Sequence, residues 1–111
     1  MNLDNKFTAL QLEIINDQGI LYECACPVHV SLQIANLRKL FDYQLECMKI
    51  DISPENSLQM QVHQRIAEVT KQAHQLMEQC LDEVLDLESW DRDRLEMPTG
   101  IRKLIEKIDV L

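Results

Sequence analysis

The chain has 111 residues and a net charge of −8, and 46% of its residues are apolar and 27% charged. This size and composition are typical of one globular domain, residues 1–111, with a core of its own. The acidic balance argues against binding to nucleic acid or to an anionic membrane, and no apolar run approaches the ~18 residues of a transmembrane helix.

The remaining composition points to a helical protein of the cytoplasm. The N-terminal sequence Met-Asn-Leu-Asp-Asn-Lys lacks the basic and apolar regions of a signal peptide. We therefore expect a cytoplasmic protein whose four cysteines stay reduced. Two glycines and three prolines are few for this length, which favours helices joined by short turns.

The N-terminal segment allows two interpretations. A spacing of 4, 3 and 4 between apolar residues predicts an amphipathic helix over residues 3–17, ended by Gly19, with a stripe made of Leu3, Phe7, Leu10 and Ile14. The alternative is a β-hairpin turning at Asp17 and Gln18, because apolar residues alternate on both sides of it: Leu10, Leu12 and Ile14, then Ile20, Tyr22 and Cys24. Pro27 predicts an extended Cys26 in either case.

A second helix is predicted over residues 27–50. Its apolar seam consists of Val30, Ile34, Leu37, Phe41, Leu45 and Met48. The turn that follows, residues 51–54, is short. The second helix should therefore lie antiparallel to the helix after the turn, as a helical hairpin.

The longest predicted helix runs from Ser53, as N-cap, to Glu88, with Pro54 in its first turn. Its seam has the 3-and-4 spacing of helices that pack lengthwise: Val62, Ile66, Val69, Ala73, Leu76, Cys80, Val84 and Leu87. At 1.5 Å per residue it is about 52 Å long, against about 35 Å for the second helix. Part of the seam must therefore be covered by another segment or another copy.

After the long helix we expect a bend at residues 89–94, around Trp90, and a last helix at residues 101–110. The apolar face of this last helix contains Ile101, Leu104, Ile105 and Ile108. The predicted fold is all-α and resembles a four-helix bundle. Self-association through the long seam is favoured; the alternative is a monomer whose last helix folds back onto that seam.

An antiparallel hairpin that turns near residue 52 would gather thiols and imidazoles at one end of the bundle. The residues concerned are Cys24, Cys26, His29, His74 and Cys80, with Met77 nearby. Thiolates and imidazoles are ligands for Zn²⁺ or Cu(I), and a helix N-terminus would lower the pKa of the Cys26 thiol. The paired Cys-x-x-Cys spacing of zinc ribbons is absent, however, and Cys80 fits the seam as a packing residue.

The acidic residues Glu78, Asp82 and Asp86 recur every four positions along one edge of the long helix. They could bind a divalent cation or face a basic partner, and the simpler interpretation is a solvated face. Gly-rich phosphate loops and the Gly-x-Ser-x-Gly nucleophile motif are both missing from the sequence.

The sequence therefore favours a non-enzymatic protein–protein interaction module, a small regulator, adaptor or assembly factor that uses its helical surfaces and no cofactor. Its expected partners are proteins, including further copies of the same chain. The alternative is a metal-binding or thiol-redox sensor that holds Zn or Cu with Cys24, Cys26 and Cys80 and with His29 or His74.

Overall fold

The computed structural model describes residues 2–21, 26–50, 54 and 57–98. Within these ranges the chain forms three α-helices: α1 (Ala9–Leu21), α2 (Cys26–Ile50) and α3 (Leu58–Leu87). No β-strand occurs in the described ranges, which confirms the prediction of an all-α fold. Helix α2 packs along both α1 and α3. None of the helices in this part of the chain is long and apolar enough to cross a membrane.

Helix α1 begins later than its apolar spacing predicts. Thr8 and Gln11 form a reciprocal cap, in which the Gln11 N–H donates to Thr8 Oγ1 (3.1 Å) and the Thr8 N–H donates to Gln11 Oε1 (2.8 Å). This cap starts the helix at Ala9, so residues 3–7 precede it. Gly19 lies inside the helix and does not end it. The β-hairpin alternative is wrong over Ala9–Leu21, and its residues 22–24 lie outside the described ranges.

Gly19 faces α2 where the two helices come close together. A Cβ atom at position 19 would lie 2.8 Å from Cγ1 of Val28, which is inside the distance that real Cβ atoms keep. The side chain of Val28 is itself buried. The absence of a side chain at Gly19 therefore lets α1 approach α2 here.

Helix α2 starts one residue before its predicted N-terminus, with Cys26 helical and not extended, and ends at Ile50 as predicted. Its contacts with α3 occur in opposite order along the two helices: Arg38 bonds His74, and Gln44 bonds His63. The two helices therefore run in opposite directions. Residues 51–53 of the predicted turn and residues 101–110 of the predicted last helix lie outside the described ranges, so the four-helix bundle stays a prediction.

Helix α3 is capped four residues after the predicted position. The hydroxyl of Ser57 accepts the Met60 N–H (3.1 Å), and Ser57 has the extended backbone of an N-cap. At the other end the Trp90 N–H donates to Leu85 O (3.0 Å) and the Ser89 N–H to Asp86 O (3.0 Å). Ser89 has a φ of 56°, which completes a Schellman motif and turns the chain out of the helix.

The face of α3 that is buried differs from the predicted apolar seam. The buried residues are Met60, Ala67, Thr70, His74, Glu78, Leu81 and Leu85. In contrast, the seam residues Val62, Leu76 and Leu87 are 48%, 67% and 82% exposed. The helix is thus rotated from the orientation that apolarity alone predicts, and it buries an imidazole and a carboxylate.

The apolar core lies where α1 packs against α2, next to the C-terminal part of α3. It includes Phe7, Leu12 and Ile15 from the N-terminal part, Val28 and Ile34 from α2, and Leu81 and Leu85 from α3. The predicted bend after α3 forms a closed loop, with the Asp91 N–H donating to Glu96 O (2.9 Å). This loop completes the core with the buried side chains of Trp90, Leu95 and Met97.

Candidate functional site

The structure describes four of the five predicted metal ligands, two on α2 and two on α3. Cys26 and His29 are exposed at the start of α2, and Cys80 is partly buried on α3. His74 is fully buried, about 120° around the helix from Cys80 at 3.6 residues per turn. No three His, Cys, Asp or Glu residues of the described ranges lie close enough together to hold a metal ion. Cys24 is outside these ranges, so the hypothesis of a Zn or Cu sensor that includes it stays a prediction.

His74 instead belongs to a buried polar cluster, which we define as the side chains of Arg38, His74 and Glu78. Arg38 Nε lies 3.0 Å from His74 Nε2, and Arg38 Nη2 donates to Glu78 Oε1 (3.0 Å). His74 Nε2 and Glu78 Oε1 are 2.9 Å apart. The side chain of Arg38 is 15% exposed and that of Glu78 is 3% exposed, so this is a buried ion pair.

The polar cluster fastens the N-terminal segment onto the helix pair. Glu78 Oε2 accepts the backbone N–H groups of Lys6 (2.6 Å) and Phe7 (2.8 Å). Arg38 Nη2 donates to the carbonyl oxygen of Phe7 (2.6 Å). The backbone on both sides of Phe7 is therefore held while its ring enters the core. Because these donors and acceptors satisfy one another within the chain, the arrangement serves as a structural clamp.

Burial is the main influence on His74. It lowers the pKa of the imidazole, the nearby carboxylates of Glu78 and Asp4 oppose that effect, and the positive charge of Arg38 adds to it. A neutral ring can accept the Arg38 Nε–H at Nε2. A second proton, on Nε2, would remove that acceptor and add a positive charge beside the guanidinium, although it would also be donated to Glu78 Oε1, 2.9 Å away. Arg38 on α2, Glu78 on α3 and Asp4 in the N-terminal segment thus together set the charge of His74.

This lowered pKa predicts how stability depends on pH. The unfolded chain takes up a proton at His74 near the ordinary pKa of 6.5, whereas the folded protein does so only at lower pH. The unfolded state therefore binds more protons in this range, and stability rises with pH there and falls as the pH drops below about 6.5. Urea unfolding measured between pH 5 and pH 8 should show this slope, and His74→Gln should reduce it. His29→Gln, at an exposed histidine, is the control. An unchanged slope in His74→Gln would contradict the assignment.

The predicted acidic edge does not form one solvated face. Glu78 is buried in the polar cluster, whereas Asp82 and Asp86 are paired within the chain. Arg92 binds both carboxylates, and Lys6 also reaches Asp82 (3.3 Å). The hydrogen bond from Arg92 holds the pKa of Asp82 below its usual value. The basic groups opposite this edge thus come from the protein's own loop and N-terminal segment.

A second feature is an uncharged side of the α2–α3 pair, which we call the apolar flank. On a helical projection with about 100° per residue, its members all lie to the same side of the surface where α2 and α3 meet. They are Leu37 and Leu40 of α2, and Val62, Ile66, Val69, Ala73, Met77, Cys80 and Val84 of α3. Val62 and Val69 are 48% and 44% exposed, and Leu76 beside the flank is 67% exposed. The other flank residues of α3 are partly buried, and Met77 and Val84 also pack against the apolar core. The flank contains no Asp, Glu, Lys or Arg, although the chain carries a net charge of −8.

The opposite side of the same helix pair is covered by the chain itself. Helix α1 lies on α2, where Ser31 Oγ donates to Leu12 O (3.3 Å). The N-terminal segment lies on α3 through its bonds to Glu78, and the loop after α3 reaches back through Arg92 to Asp82. Within the described ranges, the apolar flank is thus the long side of the pair that no comparable segment covers.

The sequence did not identify Arg38 and the backbone of Phe7 as partners of His74 and Glu78. The available signal was a second 3-and-4 pattern on α3, formed by Ala67, Thr70, His74, Glu78, Leu81 and Leu85. It is less apolar than the predicted seam, because two of its members are ionisable. The burial of Glu78 is compensated by Arg38 of α2 and by the backbone N–H groups of Lys6 and Phe7. These partners cannot be identified from spacing along α3.

No protein-family model, no curated protein and no solved structure matches this chain.

Proposed function

We propose that the protein is a non-enzymatic, cytoplasmic protein–protein interaction module that binds its partners through the apolar flank. The observation that carries this proposal is the exposure of Val62 and Val69, with Leu76 beside them, on a long surface whose members are uncharged. Contiguous apolar surfaces of this kind are uncommon on proteins that act alone, because they are costly to leave in water. Partners that suit the flank are proteins with an apolar surface, including a second copy of this chain.

The polar cluster supports this role, because it holds the two helices of the apolar flank together. Arg38 and Glu78 join α2 to α3 and to the N-terminal segment, so the relative position of the two helices is fixed from the covered side. A preorganised surface loses less conformational entropy on binding than a flexible one. The buried charges would then act in binding indirectly, through the shape of the opposite side.

Site-specific photo-crosslinking in cells tests the flank as a docking surface. Benzoylphenylalanine in place of Val69 should form crosslinks to a protein, because the residue is exposed in the middle of the flank. The same probe in place of Gln75, an exposed polar residue on the side of α3 away from the flank, is the matched control. Intermolecular products at position 69 that are absent at position 75 support the proposal. A crosslink from position 69 to residues 99–111 of the same chain would overturn it.

A further inference from the structure

The apolar flank of α3 is symmetric about its own centre. Its residues follow one another at intervals of 4, 3, 4, 4, 3 and 4, which read the same in both directions from Ala73: Val62, Ile66, Val69, Ala73, Met77, Cys80 and Val84. A surface of this kind matches itself when it is rotated by half a turn about an axis through its centre. That is the requirement for an isologous contact between two identical chains.

We propose that the occupant of the apolar flank is a second copy of this chain, with the two α3 helices antiparallel across a two-fold axis at Ala73. This inference rests on the function proposed above and names its partner. In such a pair, Val62 meets Val84 of the second copy, and Ile66 meets its Cys80. The small side chain of Ala73 lies on the axis and lets the helices approach closely, as small residues do in lengthwise packing.

Charges at the edge of the flank agree with the same axis. Arg65 lies between Val62 and Val69 on the helix surface, at intervals of three and four residues. Glu83 occupies the equivalent place beside Cys80. The midpoint between positions 65 and 83 is position 74, one residue from the proposed axis. The two-fold places position 65 of each copy opposite position 81 of the other, so Arg65 lies two residues, or about 3 Å along the helix, from Glu83, which gives two pairs of opposite charge.

These two residues cannot meet within one chain. They are 18 residues apart on one helix, which separates them by about 27 Å. In the single chain both side chains are exposed: Arg65 lies 3.6 Å from Glu68, and Glu83 accepts a bond from Gln79 (3.2 Å). Neither contact is buried, so both side chains are available to a second copy.

The size of the flank also suits a dimer. From position 58 to position 87 the helix is about 43 Å long, and two packed helices present a side about 20 Å wide. The side covers roughly 800 Å², the area that each partner contributes to a standard protein interface. Because the facing surfaces are uncharged, a second chain with the same net charge of −8 brings no like charges into the centre of the contact.

Sedimentation velocity at micromolar to sub-millimolar concentrations tests the dimer. The wild-type chain should sediment as a dimer, and Val69→Glu should raise the dissociation constant by about a hundredfold or more, since it buries a carboxylate in both copies. Val69 is already 44% exposed, so the single chain should stay folded, which circular dichroism checks. Gln75→Glu adds the same charge on the side of α3 away from the flank and should leave the dimer intact.

Charge reversal tests the position of the axis. Arg65→Glu and Glu83→Arg should each weaken the dimer by about tenfold, because each turns two attractive pairs into repulsive ones. The double variant should recover to within about threefold of wild type, since the pairs are restored with opposite signs. Asp42→Arg, on α2, changes the net charge as Glu83→Arg does, away from the flank, and should not weaken association.

The outcomes separate this inference from the function proposed above. A chain that is monomeric at all these concentrations overturns the dimer, and a crosslink from position 69 to a different protein would then leave the interaction function standing. If the losses of dimer affinity in Arg65→Glu and Glu83→Arg simply add in the double variant, the axis at Ala73 is wrong. A crosslink from position 69 only to residues 99–111 of its own chain overturns both.

Discussion

Glu78→Ala is expected to lower the free energy of unfolding by about 3–5 kcal/mol, the usual cost of breaking a buried ion pair by removing one partner. The substitution leaves the guanidinium of Arg38, only 15% exposed, without its carboxylate. It also removes the oxygen that accepts the backbone N–H groups of Lys6 and Phe7. A loss of this size is a large part of the stability of a single domain, because that stability is about 5–15 kcal/mol in total.

Urea unfolding gives the size of the effect, and amide hydrogen exchange shows where it acts. The amides of Lys6 and Phe7 should exchange much faster in the Glu78→Ala variant, since their acceptor is gone. Asp42→Ala, at an exposed carboxylate of α2 away from the flank, is the control and should change stability by no more than about 0.5 kcal/mol. Equal losses in the two variants would show that Glu78 does not clamp the N-terminal segment.

The difference between α2 and α3 shows what the sequence could predict. The bounds of α2 follow from a clear apolar period and the short turn after it, and they are correct to one residue. The face of α3 that is buried in the chain was not predicted, because the apolar seam could be covered either by this chain or by another copy. The structure places His74 and Glu78 on the buried face, compensated by Arg38 of α2 and by the backbone of Lys6 and Phe7. Such compensation depends on contacts between distant parts of the chain, which spacing along one helix does not contain.

The same rotation of α3 connects the buried polar cluster to the proposed docking surface. The face of α3 that carries Glu78 and His74 is buried, whereas Val62, Val69 and Leu76, on another face, are exposed. Burial of the more apolar face would have stabilised the single chain further, since apolar burial contributes about 25 cal/mol per Å². This fold instead buries the polar cluster and leaves the apolar flank partly exposed. The flank is therefore available to another molecule.

Gly19→Ala has the second-largest expected effect and tests the close approach of α1 and α2. Alanine favours a helix over glycine by about 1 kcal/mol, so an unconstrained site would gain stability. Here the added Cβ atom would lie 2.8 Å from Cγ1 of Val28, a stiff, β-branched and buried side chain. Overpacking of this kind costs about 1–3 kcal/mol. We expect a net loss of about 1–2 kcal/mol in the free energy of unfolding.

A double-mutant cycle with Val28→Ala separates the steric effect from helix propensity. Removing both Cγ atoms of Val28 opens space beside position 19, so in that background Gly19→Ala should stabilise the protein by up to about 1 kcal/mol. The change of sign between the two backgrounds is the diagnostic result, and urea unfolding of the four proteins measures it. If Gly19→Ala is equally destabilising with and without Val28, then contact between α1 and α2 at this point does not explain the glycine. A cause within α1 itself would then have to account for the loss.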